Sequence, residues 1–174
     1  MDFYERLALL VFFFLDVFRN DKSKISQKKE RKNMNKVLNV ARFIIKYSNE
    51  KDYDIYGLKL HALLYFVQAS FVLETGNLCF DEPIVKTLYG CIIAEVAKEF
   101  GVGGYTLYNT DEIIVKDSWN IERKHFDETC ISEEDRKLIQ EIVDGTQYYF
   151  ASQLFMIINS TEKEFFDGDE IIFK

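Results

Sequence analysis

No stretch leaves the chain fewer options than Leu58 to Glu74. Leu60, Leu63, Leu64, Val67 and Phe71 recur at helical spacing and place their side chains on one face of a helix. Ala62, Phe66, Ala69, Val72 and Leu73 make most of the other flank apolar as well. A helix that is apolar nearly all round must be covered by neighbours on several sides, so this segment predicts the central helix of a helical core. Its polar residues, Lys59, His61, Gln68 and Ser70, fall on different flanks and define no single reactive face.

The rest of the chain supplies the covering helices. Val37, Val40, Ala41, Ile44 and Ile45 predict a helix over residues 35–48, with Phe43 and Tyr47 at its margin. Gly57 opens the central helix, and Gly76 closes it where a left-handed residue is needed. Asn77 to Pro83 reads as a turn anchored by Leu78 and Phe80, and Ile84 to Tyr89 as extended. Gly90 marks a break, and Ile92 to Phe100 reads as a short helix. Ser132, with Glu133, Glu134 and Asp135 behind it, resembles a capping box and predicts a helix over residues 133–143 that Gly145 ends. Phe150 to Ile158 is a further apolar helix, and Phe165 to Phe173 has room for one more. Between these, Tyr105–Tyr108 and Ile113–Val115 are expected to pair as a small β-hairpin, and Asp117 to Cys130 to form a surface loop pinned by Trp119 and Phe126. The expected fold is mainly α: a single compact helical domain around a buried central helix, with that hairpin appended. Sixteen Phe and ten Tyr with one Pro fit a dense core with few rigid turns.

Residues 1–33 read as an N-terminal extension to a domain spanning residues 34–174. The apolar run Leu7–Leu15 is hemmed in by Glu5, Arg6 and Asp16 and is far shorter than the roughly 20 residues of a membrane span. It lacks the basic leader and small-residue cleavage site of a secretory signal. Three readings stand: a helix docked on the body, a membrane-surface anchor, or sequence not translated in the cell. The last is favoured, because Lys29-Glu-Arg-Lys-Asn33 is codable by an A/G-rich stretch like a bacterial ribosome-binding site, which would make Met34 the start.

Charge and chemistry-bearing residues narrow the function. Of the net charge of −7, residues 1–33 contribute +3 (eight Lys/Arg, five Asp/Glu) and residues 34–174 contribute −10 (fourteen against twenty-four). An acidic body argues against nucleic-acid binding, which relies on cations at phosphates. Cys79, Cys91 and Cys130 are odd in number and widely spaced, as expected of reduced core cysteines in the cytoplasm. His61 and His125 have no metal-ligand spacing to Cys, Asp or Glu, so no metal is expected. Gly101-Val-Gly-Gly104 lacks the Lys-Ser/Thr of a phosphate loop and implies a turn rather than a nucleotide site. Paired acids such as Glu133/Glu134 and Asp169/Glu170 read as solvated helix ends. The residues alone thus predict a soluble helical domain that binds something, with no catalytic residue and no cofactor expected, and they go no further. An unrecognised hydrolase stays open only if His61 or His125 meets a nucleophile in a pocket.

Several blocks in order resemble the SocA-like antitoxin (Panacea) family of phage and bacterial toxin-antitoxin operons. Leu58-Lys-Leu-His-Ala-Leu-Leu-Tyr-Phe-Val-Gln-Ala69 resembles its "L-x-LQKLLYFxQA" helix. Gly76 to Ile84 is similar to its "G-x-PLFxExI" turn, Leu88 to Val96 to its "W-x-x-GPVVPEVY" segment, and Tyr149 to Leu154 to its "YSAxxL" helix start. The resemblance spans residues 35–160. Cys91 and Ala94 stand where the family has prolines, Leu88 stands near its tryptophan, and its "TH-x-x-x-PW" signature is reduced to Ile158-Asn-Ser-Thr-Glu162, so no histidine carries over. The resemblance implies an antitoxin of a type II system that binds and neutralises a cognate protein toxin, by occlusion or by delivery to a host protease. An adaptor or regulatory module without a toxin is the alternative. The implied binding surface surrounds the turn after the central helix and takes in Tyr65, Gln68, Phe80, Glu82, Tyr89 and Glu95. Core packing is the competing reading for Tyr65, Phe80 and Tyr89, and satisfying a buried backbone group is the competing reading for Gln68.

Overall fold

The computed structural model describes residues 34–87, 90–108, 111–117, 120–160, 166–167 and 170–171. The chain enters helix α1 (Val37–Glu50), turns through residues 51–56 and enters the long helix α2 (Gly57–Thr75). Strand β1 (Ile84–Thr87), strand β2 (Gly90–Ile92) and helix α3 (Ala94–Phe100) follow. Next come the strands β3 (Glu112–Asp117) and β4 (Asn120–Lys124) and a single 3-10 turn, Glu128–Cys130. Helices α4 (Glu133–Thr146) and α5 (Ala151–Ser160) complete the helical part, and two short strands, β5 (Phe166–Asp167) and β6 (Glu170–Ile171), come last. The fold is mainly α, as expected.

The one-sided pattern of α1 and the all-round pattern of α2 lead to different burial. In α1, Val37, Val40, Ala41, Ile44 and Ile45 face inward and are wholly buried. In α2, 14 of the 19 residues are buried, polar ones included. Helices α1, α3, α4 and α5 and strand β2 all pack against it. Burying a side chain such as Phe66 or Phe71 stabilises the fold by about 1.5–3 kcal/mol each, so the rod is the main apolar investment of the chain.

The helix ends are closed by side chains and turns named in the sequence, and by one that was not. Gly76 takes φ +69° and donates its N–H to the Val72 carbonyl at 2.8 Å. Ser132 Oγ accepts the Asp135 N–H at 3.1 Å, and three acids occupy the first turn of α4. The N-terminus of α1 has no local cap. Instead Glu82, 45 positions downstream, accepts the Val37 N–H at 3.2 Å and brings negative charge to the positive end of the helix.

Strand pairing departs most from the expectations. The extended reading of residues 84–89 holds for β1, which pairs antiparallel with β2 on one side (Val85↔Ile92, Thr87↔Gly90) and with β6 on the other (Ile84↔Ile171). The sheet order is β2-β1-β6-β5. Ile92 and Ile93 therefore precede helix α3 instead of lying in it: Ile92 ends β2, and Ile93 is the extended residue before the first turn. Where a C-terminal helix was expected, the described residues pair instead as the antiparallel strands β5 and β6 (Phe166↔Ile171, Asp167↔Glu170).

The second hairpin has different strands from those expected. β3 pairs with β4, with a bulge between Val115 and Asp117, so part of the expected loop after Asp117 is strand. Tyr105–Tyr108 does not pair with Ile113–Val115; Thr106 bridges Tyr56 instead. Gly145 does not end α4, which runs on to Thr146 because Thr146 and Val143 are buried against the core and repay the glycine's entropic cost. In the turn after α2 the buried anchors are Cys79 and Phe80, while Leu78 is only half-buried. The expectations for residues 1–33, Trp119 and Tyr89 lie outside the described residues.

Candidate functional site

The residues expected to face a partner around the turn after the central helix divide, among those described, into a buried set, a half-buried Glu82 and an exposed Glu95. Tyr65 points into the core, 2 % exposed, with its ring edge-on to Phe66 at 5.5 Å between centroids. Gln68 is buried and occupied by the turn that follows its own helix. Its Nε2 donates to the Phe80 carbonyl at 2.8 Å, and its Oε1 accepts the N–H groups of Cys79 (2.9 Å) and Phe80 (3.2 Å). Phe80 is wholly buried beside it. Tyr65, Gln68 and Phe80 thus build the interior, and Gln68 does the backbone-satisfying work that competed with partner binding in the sequence reading. Glu82 spends one carboxylate oxygen on α1, and Glu95 stands exposed in the first turn of α3.

The turn over residues 79–82 is in effect a clamp. Gln68 holds its backbone, Glu82 reaches from it to α1, and the Asn35 N–H donates to the Cys79 carbonyl at 3.0 Å. The Asn35 amide also donates to Asp135 at 2.9 Å, tying the start of α1 to the first turn of α4. These contacts make the α2 C-terminal end a structural joint between three helices.

The titratable groups near α2 are poised against proton chemistry. His61 is wholly buried; its Nδ1 accepts the Ile93 N–H at 3.2 Å, so the neutral ring carries its proton on Nε2. Burial pushes its pKa down to about 4, with the Gly101 backbone pulling weakly the other way. Beside it, the Cys91 thiol donates to the His61 carbonyl at 3.6 Å, and burial pushes that thiol up to about 12, far from the thiolate a nucleophile needs. His125 stands exposed and pairs with Asp111 at 3.0 Å. Among the described residues no group of His, Cys, Asp and Glu has the arrangement of a metal site, and no helix is long and apolar enough to cross a membrane.

Two buried cations have intramolecular duties. Arg42 pairs with Glu99 at 2.9 Å, fastening α1 to α3. Lys59 donates to the Gln147 carbonyl at 2.9 Å, and desolvation lowers its pKa. A helix C-terminus offers a free carbonyl and negative dipole, so Lys59 joins α2 to the end of α4.

What the α2 N-terminal end does present is aromatic. Tyr56, the residue before α2, bridges Thr106 through its backbone, while its hydroxyl accepts the Ala151 N–H at 2.9 Å and so caps α5. The Gly57 N–H donates to the Gly103 carbonyl at 3.1 Å, and the Leu107 N–H donates to the Ile55 carbonyl at 2.9 Å. The loop over residues 101–108 and the α4–α5 turn are thereby both pinned to the start of α2. Tyr105 and Tyr108 flank the first attachment, and Tyr148 and Phe150 lie beside the second. These four are exposed by 86, 76, 78 and 65 % respectively. Next to them, Asp144 accepts hydrogen bonds from Tyr47 (2.9 Å) and Tyr53 (3.1 Å), and burial and that carboxylate push the Tyr47 hydroxyl up to about 12. The sequence reading missed this cluster because it placed Tyr105 and Tyr108 in a strand and Phe150 in a helix. The available signal was their position: aromatics directly after a Gly-rich turn and in a short interhelical link have no regular element to bury them.

A helix-rich body with a small sheet and an open aromatic pole is the class that these features define. No known protein family matches the chain, and neither a curated protein nor a solved structure matches it.

Proposed function

We propose that the chain is an antitoxin that binds a cognate protein toxin and silences it, acting in the cytoplasm without a cofactor. The single observation that carries a protein-binding role is the open pole formed by Tyr105, Tyr108, Tyr148 and Phe150 on two segments fastened to the start of α2. Tyrosines and phenylalanines present large contact area at low entropic cost, which is why such residues anchor protein interfaces. The antitoxin assignment within that role rests on the ordered blocks between residues 35 and 160 that resemble the SocA-like family, foremost the Leu58–Ala69 helix.

The body charge of −10 over residues 34–174 suits a basic partner, since complementary charge speeds and selects association. Co-expression with the product of the adjacent open reading frame tests the reading. The antitoxin restores growth that the neighbour alone arrests. An adaptor without a toxin leaves growth unchanged by either protein, and a neighbour whose toxicity persists in the presence of this chain refutes the antitoxin role.

A further inference from the structure

Resting on that protein-binding reading, we infer that the aromatic pole is the docking surface itself and that it takes an arginine-bearing segment of the partner protein. The inference comes from what the pole contains and lacks. Three segments build it: residues 50–56, 101–108 and 147–153. Their only charged side chains are Glu50, Lys51, Asp52 and Asp54, a net charge of −2. Glu50, which has the Lys46 ammonium at 3.9 Å, and Asp52 and Asp54 are exposed, and the one lysine of these segments, Lys51, sits 5.6 Å from the centroid of the Tyr47 ring.

That last contact shows the recognition in miniature. A cation already rests on one tyrosine of this end of the molecule, because the ring face carries the negative lobe of its quadrupole. Tyr105, Tyr108 and Tyr148 offer further ring faces to solvent, with carboxylates on the neighbouring turn. Arginine suits such a surface better than lysine does: its guanidinium stacks flat on a ring while its N–H fork reaches a carboxylate. Single-stranded RNA would also stack on tyrosines, but it requires cations to meet its phosphates. The loop over residues 101–108 and the link over residues 147–153 contain no Lys or Arg.

The test uses the full chain and an alanine-rich helical peptide with arginine at every fourth position, followed by NMR of the aromatic rings. The arginine peptide shifts the ring signals of Tyr105, Tyr108 and Tyr148, a lysine version shifts them less, and a glutamate version leaves them in place. Tyr105→Ala with Tyr148→Ala weakens the arginine peptide about tenfold, at an unchanged melting temperature because both rings are exposed. Asp52→Asn with Asp54→Asn weakens it too. Ring signals indifferent to the arginine peptide, or moved more strongly by oligouridine, overturn the inference. Growth rescue separates this outcome from the fate of the antitoxin reading. Rescue that survives the double tyrosine variant removes the docking surface and keeps the antitoxin, whereas a parent chain that never rescues removes the antitoxin and leaves the peptide result to stand alone.

Discussion

Replacing Gln68 by leucine asks whether this side chain serves the fold or a partner. Gln68→Leu conserves shape closely but removes three buried hydrogen bonds, one to the Phe80 carbonyl and two from the Cys79 and Phe80 N–H groups. Each buried group stripped of its partner costs about 1–3 kcal/mol, so the gross loss is about 3–9 kcal/mol. Burying a leucine in place of an amide returns about 1.5–3 kcal/mol. Central values of the two leave a net loss of about 4 kcal/mol, which lowers the melting temperature by about 8–16 °C for a chain of this size. Urea titration followed by circular dichroism measures it directly. Gln68→Glu sharpens the test: it keeps the acceptor for both N–H groups but loses the donor and buries a charge. Protonation restores a donor, so its deficit relative to the parent shrinks at acid pH. A leucine variant within about 1 kcal/mol of the parent would falsify the clamp, whose estimated worth exceeds that margin. Unchanged stability with impaired partner binding would return Gln68 to the surface role that the sequence resemblance implied.

Three other perturbations probe the rest of the frame. His61 titrates near 4 when folded against an ordinary 6.5, so between those values the unfolded chain binds the extra proton; the stability associated with His61 is fully present above pH 6.5 and falls as pH drops towards 4, by on the order of 2–4 kcal/mol. Melting curves across that window read it, and a parent chain equally stable at pH 4.5 and 7 rules the argument out. Gly90 sits at φ +125°, and a Cβ there would lie 2.2 Å from a ring atom of Phe155, so Gly90→Ala destabilises by about 2–4 kcal/mol. Adding Phe155→Leu recovers only the steric part of that loss in a double-mutant comparison, and full recovery would mean that backbone strain contributes nothing. Tyr56→Phe removes the hydroxyl that caps the Ala151 N–H and costs about 0.5–1.5 kcal/mol. Hydrogen exchange at the start of α5 speeds up in that variant, and an unaltered exchange rate there contradicts the capping role.

The sequence by itself determined the helical skeleton. Side chains every third or fourth residue report which face of α1 is buried, an all-apolar circumference reports that α2 is enclosed, and Gly76 and Ser132 mark helix ends by local backbone chemistry. All of that information lies within a few residues of the element it describes. Tertiary structure alone decided which distant segments meet. Glu82 caps a helix that begins 45 positions earlier, Tyr56 caps one that begins 95 positions later, and β1 takes β6 as a neighbour across half of the chain. The site followed the same rule. Tyr65 and Phe80 look like contact residues in a linear motif and are core, while Tyr105 and Tyr148, 43 positions apart, share a pole because Tyr56 and Gly57 fasten both of their segments to the start of α2. Local periodicity carries burial, but convergence depends on long-range hydrogen bonds whose two ends have no common signature in the sequence.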